Sequence, residues 1–102
     1  MDLNLLSRNP LRLAVSFAPD DACFNGHFPG DPVVPGSLIT GLSLQAIREH
    51  LGHAGPLRVR RFSFSRFARP GSYTLDIEER EGTYLCTLRG ADTLFAQGRI
   101  TA

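Results

Sequence analysis

Between Leu11 and Phe17 the chain alternates: Leu11, Leu13, Val15 and Phe17 are separated by Arg12, Ala14 and Ser16. A period of two predicts a strand with one face buried. The stretch that follows, "APDDACFNGHFPGDPVVPG", holds too much Pro and Gly for regular structure. From Ser37 to Leu51 the pattern changes again. Leu38, Ile39, Leu42, Leu44, Ala46, Ile47 and Leu51 cover most of the circumference of a helix, which predicts a helix buried on nearly every side. Arg48, Glu49 and His50 mark the end that reaches water, and Gly52 is the stop signal.

Beyond Pro56 the pattern is β. "LRVRRFSFSRFA" predicts a long strand ended by Pro70-Gly71. "SYTLDIEER" places Tyr73, Leu75 and Ile77 on one face, and a turn at Glu81-Gly82 leads into its hairpin partner "TYLCTLRG". "TLFAQGRITA" closes the chain. The expected layout is one strand before the helix and about four after it. A helix apolar on nearly every side needs a sheet curled around it. The fold class is therefore α+β: a single central helix wrapped by a curved antiparallel sheet, with residues 1–102 forming one domain. Sheet edges left uncovered are free to pair with another chain.

Composition narrows the function classes. The chain has 102 residues, 42% hydrophobic and 21% charged, with a formal net charge of +1. That is an ordinary globular balance, and total charge implies no polyanionic partner. A domain this small has little room for an enclosed pocket, so a substrate cleft is expected between two subunits. Cys23 and Cys86 have the spacing of neither a disulfide framework nor a metal site, and read as buried reduced thiols. No metal or other cofactor is called for. No apolar run approaches the roughly 20 residues that cross a bilayer, and "MDLNLLSRNP" lacks the pattern of a signal peptide. A soluble, cytoplasmic protein is expected.

The motif "GHFPGDPVVPG" followed by a helix resembles the β-hydroxyacyl-acyl-carrier-protein dehydratases of the hot-dog fold. "RFARPGS" is similar to that family's Pro-Gly corner, and "FAQGRI" to its last strand. The resemblance runs from about Phe24 to Ile100. It implies dehydration of 3-hydroxyacyl-carrier-protein thioesters to trans-2-enoyl thioesters, in fatty-acid or polyene-type biosynthesis, and a site at a dimer interface. His27 would be the base and the Gly36 backbone N–H the donor to the thioester oxygen. Phe28, Pro35, Ser37, Thr40 and Gly41 would lie around the substrate.

The residue types suit that chemistry. Removing the moderately acidic α-proton of a thioester needs a base active near neutrality and a donor for the developing enolate oxygen. The ordinary pKa of histidine, about 6.5, meets the first need. The first N–H groups of a helix meet the second, because they lack acceptors within the helix and lie at its positive end. Gly36 lets a ligand approach the backbone closely, and Pro29, Pro32 and Pro35 restrict the loop that joins His27 to the helix start.

Two features depart from the resemblance. In that family a Glu or Asp on the central helix reaches the substrate hydroxyl from the partner subunit. The matching position in "PGSLITGLSLQ" is Gly41. Glu49 lies eight residues further on, about 12 Å along a helix. Asp20, Asp21 and Asp31 read better as turn and capping residues. The chain is also short, as in dehydratase-like proteins of specialised pathways such as polyene pigment synthesis. Three readings stay open: slow dehydration using water or a hydroxyl such as Thr40 or Ser43; pairing with a related chain that supplies the missing carboxylate; and binding of acyl thioesters without turnover. The expected assembly is a homodimer, or a heterodimer with a related hot-dog chain. Thioester hydrolysis would need a carboxylate placed to activate water, and none is evident in the loop–helix region.

Five of the eleven basic residues fall between positions 58 and 69. Arg58, Arg60, Arg66 and Arg69 are candidates for holding an acidic acyl carrier protein. A solvated strand face explains them equally well. Nucleic-acid binding is disfavoured by the near-neutral charge, and because Phe62, Phe64 and Phe67 are expected in the core.

Overall fold

A computed structural model of the chain describes residues 1–24 and 32–102. His27, Phe28 and Asp31 lie outside the described residues. Among those described, the order is β1 (Asp2–Arg8), β2 (Leu11–Phe17), a short 3-10 turn (Ala22–Phe24), α1 (Gly36–His50), β3 (Arg58–Phe64), β4 (Gly71–Arg80), β5 (Thr83–Gly90) and β6 (Thr93–Thr101). The strands form one antiparallel sheet in the order β1-β2-β4-β5-β6-β3. It curves around α1 without closing, so β1 and β3 are its edges.

The alternation in the sequence becomes the inner face of this sheet. Leu11, Leu13, Val15 and Phe17 of β2 are buried, as are Tyr73, Leu75 and Ile77 of β4, Tyr84, Cys86 and Leu88 of β5, and Ala96 and Ile100 of β6. Against them α1 packs Ile39, Leu42, Ser43, Ala46 and Ile47. Both the hairpin and the helix stop use positive φ. Glu81 and Gly82, at φ 50° and 79°, close the β4–β5 hairpin, and Gly52, at φ 70°, follows the helix end, where Leu51 N–H donates to Ile47 O at 3.1 Å.

Two sequence expectations need correcting. There are two strands before the helix: "DLNLLSR" forms β1, an edge strand paired with β2 from Asp2↔Ser16 to Arg8↔Leu11. The helix is not buried all round. Ser37, Gly41, Gln45, Arg48 and Glu49 are exposed along one side, while Leu38, Leu44 and Leu51 are half-buried. In a single chain the sheet covers one face of α1, and the stripe through Gly41 stays open.

Candidate active site

The chain before α1 is anchored to the far edge of the sheet. Val34 N–H donates to Ala68 O at 2.7 Å, and Val33 and Val34 are buried, so the helix start is held beside the end of β3. Pro35 precedes the helix with extended ψ (137°), and no side chain caps it. Its carbonyl accepts from Leu38 N–H at 3.0 Å. Among the described residues nothing accepts the N–H of Gly36. It is one of the helix-start donors, at the partially positive end of the helix.

A depression of about 240 Å³ opens at this point, lined by Val33, Pro35, Gly36, Ile39, Phe64 and Phe67 with Arg66 at its rim. Phe64 lies over Gly36 so closely that a Cβ there would meet the ring's Cζ at 2.9 Å. Phe64 stacks in turn on Phe62, with centroids 5.9 Å apart, and Phe62 lies over Gly98, whose lack of a Cβ makes room for that ring. The expectation that these rings fill the core fails for two of them. Phe64 and Phe67 are 46% and 67% exposed and wall an apolar opening at the helix start. The signal lies in "RFSFSRF", but a period of two marks a strand without saying that its apolar face is covered.

The remaining site residues fall into distinct places. Pro35 and Gly36 share the depression. Ser37 and Gly41 lie one turn apart on the open side of α1, and a Cβ on Gly41 would meet nothing within 4 Å. Thr40 Oγ1 donates to Gly36 O at 3.2 Å. Ser43 is fully buried, donates to Ile39 O at 2.9 Å and also bonds the thiol of Cys86. Ser43 is thereby removed as a hydroxyl acid, because it faces the core. Glu49 accepts from Gln45 Nε2 at 3.0 Å, two turns beyond Gly41. Among the described residues no carboxylate stands in for the missing one.

The four candidate arginines separate. Arg66 is at the rim of the depression. Arg69 is fixed through its backbone, whose N–H donates to Tyr73 Oη at 2.9 Å while the same hydroxyl donates to Arg69 O at 2.6 Å. Arg58 and Arg60 belong to β3, and Arg60 turns away to donate from Nε to Thr101 Oγ1 at 3.0 Å.

Neither thiol is activated. Cys86 is buried against Ser43, and burial pushes its pKa up to about 11. Cys23 is half-buried, contrary to the expectation of full burial, and partial desolvation also raises it. Among the described residues no cluster of three His, Cys, Asp or Glu could hold a metal. No helix among them is long and apolar enough to cross a membrane.

A single helix packed inside a curved antiparallel sheet is the architecture that the sequence motif implied; the hold of the helix start on the end of β3 is added by the structure. The ApeI dehydratase profile matches residues 5–99. The chain belongs to the ApeI-like dehydratase family. Its fold is the hot-dog fold, similar to that of solved structures at low sequence identity. The dehydratase heterocomplex ApeI:P of Xenorhabdus doucetiae matches with a TM-score of 0.82 at 19% identity, over 99% of this chain and 93% of that one. An uncharacterised protein of Erwinia carotovora subsp. atroseptica matches at 0.70 and 21% identity, over 99% and 89%. A Thermus thermophilus protein matches at 0.62 and 16% identity, over 98% and 89%. No curated protein sequence matches the chain.

Proposed function

We propose that the chain contributes half of a dehydratase site acting on 3-hydroxyacyl thioesters of an acyl carrier protein, and that a related hot-dog chain supplies the other half. The observation that carries this reading is Gly41. It lies on the open side of α1, at the position that carries the acid in the resembled family, and a Cβ there would meet nothing within 4 Å, so a pair of identical chains would have no acid to offer either site. A partner that pairs along the exposed edge of β3 would bring its own helix toward that side. The ApeI:P structure, itself a dehydratase heterocomplex, supports pairing of unlike chains.

In this scheme His27 removes the proton from C2 of the substrate. The electron pair moves into the thioester carbonyl, whose oxygen accepts from Gly36 N–H. Collapse of the enolate expels the C3 hydroxyl, which takes a proton from the partner's carboxylic acid and leaves as water. The product is the trans-2-enoyl thioester. Val33, Phe64 and Phe67 offer the acyl chain apolar surface, and Arg66 at the rim offers positive charge to an acidic carrier protein. The reaction would take place in the cytoplasm.

Two variants of the paired protein test the assignment. His27→Ala should abolish turnover of 3-hydroxyacyl-carrier protein, while His53→Ala, whose ring stands over Tyr84 outside the site, should leave it unchanged. Turnover that survives His27→Ala would refute the base.

A further inference from the structure

The outer face of the sheet carries an arrangement that the dehydratase reading does not use. On β6, Gln97 and Arg99 alternate with the buried Ala96 and Ile100 and therefore point outward. Arg99 is directly opposite Arg61 of β3, and Gln97 is opposite Ser63. Between Val59 and Arg61 the register shifts by a β-bulge. A bulge sets two residues of one strand against one of its neighbour and re-aims a side chain. Here it turns Arg60 to the same face as Arg61, where its Nε donates to Thr101 Oγ1 at 3.0 Å. Three arginines thus line one shallow depression of about 450 Å³, together with Ser63, Leu85, Gln97 and Gly98.

The rest of this face does not neutralise them. The row across the sheet runs Glu78, Leu85, Arg99, Arg61. Glu78 is engaged by Arg80 at 2.8 Å, and Leu85 separates it from Arg99. Asp76 is held by Arg12 at 3.4 Å and Arg89 at 4.0 Å. Among the described residues Arg60, Arg61 and Arg99 have no carboxylate partner. Like charges directly opposite on neighbouring strands destabilise a sheet, so Arg61 and Arg99 are placed at a cost to the free protein. An anion between them removes that cost. All eleven basic residues of the chain are arginine, whose planar fork matches phosphate oxygens two at a time.

We propose that the Arg60, Arg61 and Arg99 depression binds a ligand bearing a diphosphate group. Three arginines around one depression supply more positive charge than a single phosphate balances, and the depression has the volume of a small-molecule site. The site is on the opposite face of the sheet from the helix, so the proposal does not depend on the reaction assigned to the helix start.

Calorimetric titration with inorganic diphosphate tests it. Saturable binding at one equivalent per chain is expected. Arg61→Gln and Arg99→Gln should each weaken it by about tenfold or more, the usual effect of losing a hydrogen bond to a charged group. Arg12→Gln, on the same face but paired with Asp76, should not. Arg99→Gln should also leave the ligand-free melting temperature unchanged or higher, since it relieves the opposition to Arg61. ADP is the second arm: tighter binding than diphosphate identifies a nucleotide as the source, and equal binding identifies free diphosphate. No saturable binding would overturn the proposal. So would equal weakening by Arg12→Gln, which would mark diffuse attraction, or binding of only an acidic protein to this face.

Discussion

The ring of Phe64 lies against the backbone of Gly36, leaving no room for a Cβ between them. This contact joins the helix start to the end of β3 and shapes the apolar wall beside the Gly36 N–H. Gly36→Ala should force the ring aside. Because Phe64 is an exposed ring with space to swing away, the stability cost should stay within about 1 kcal/mol, below the usual cost of overpacking a closed core. Activity of the paired protein should nevertheless fall by at least about tenfold, since a misplaced substrate-facing group costs that much or more. Thermal unfolding and initial rates measured on the same preparation check both halves. Unchanged rates would show that neither the donor nor the ring is used.

How much of this is legible in the sequence differs from element to element. The buried faces of β2 and β4 follow directly from their alternation, because a half-buried strand has no other way to sort its side chains, whereas in β5 Leu85 between Tyr84 and Cys86 blurs the pattern. The β4–β5 turn and the helix stop are readable from glycines that adopt positive φ. β1 is not readable. Leu3, Leu5 and Leu6 are 39% to 59% exposed, and the strand exists because β2 offers it an edge, not because its own pattern demands burial. The open side of α1 is hidden for a related reason. Leu38, Leu44 and Leu51 make the helix look apolar all round, yet they are half-buried beside an exposed stripe of Ser37, Gly41 and Gln45. Within the site, Gly36 and Gly41 can be found by their distance from the Pro-Gly motif. Phe64 cannot, since its contact with Gly36 depends on β3 crossing to the far edge of the sheet. His27 and Phe28 rest on the motif alone.

One-sided burial of α1 makes a paired prediction. Leu42→Ala empties a buried position and should cost about 2–5 kcal/mol, whereas Gln45→Ala, three residues on and exposed, should stay within about 0.5 kcal/mol. Urea unfolding of both variants is the measurement. Similar costs at the two positions would contradict the orientation of the helix.

Cys86 predicts a specific alkaline instability. Burial favours the neutral thiol and raises its folded pKa from 9.0 to about 11. The stabilisation is therefore complete below pH 9.0 and is lost as the pH rises toward about 11. The slope in that window should approach about 1.4 kcal/mol per pH unit, one proton's worth. The chain has no lysine to titrate in the same range, though Tyr84, also raised by burial, makes Tyr84→Phe a useful background. Replacing Cys86 by Ala should flatten the dependence of unfolding free energy on pH. A slope retained in that variant would place the responsible group elsewhere.

Gly41→Glu should fold. Nothing lies within 4 Å of the new Cβ, and replacing glycine inside a helix should stabilise it by about 0.5–1 kcal/mol. If the acid is the missing component, this variant should dehydrate 3-hydroxyacyl-carrier protein faster than the parent chain alone, by up to the roughly 10²–10⁴-fold that such groups contribute. A correctly folded variant with no gain in rate would mean that the helix position does not face the substrate.

In the proposed site the acid comes from another, unlike chain. The most direct measurement is the rate of 3-hydroxyacyl-carrier-protein dehydration by this chain alone, by a hot-dog dehydratase chain of the same source that carries the helix carboxylate, and by the two together. This chain alone should show little or no turnover. In the mixture turnover should appear, and it should be lost both on His27→Ala here and on replacing the helix carboxylate in the other chain. Full activity of this chain alone, or a mixed rate that is indifferent to His27→Ala, would contradict it.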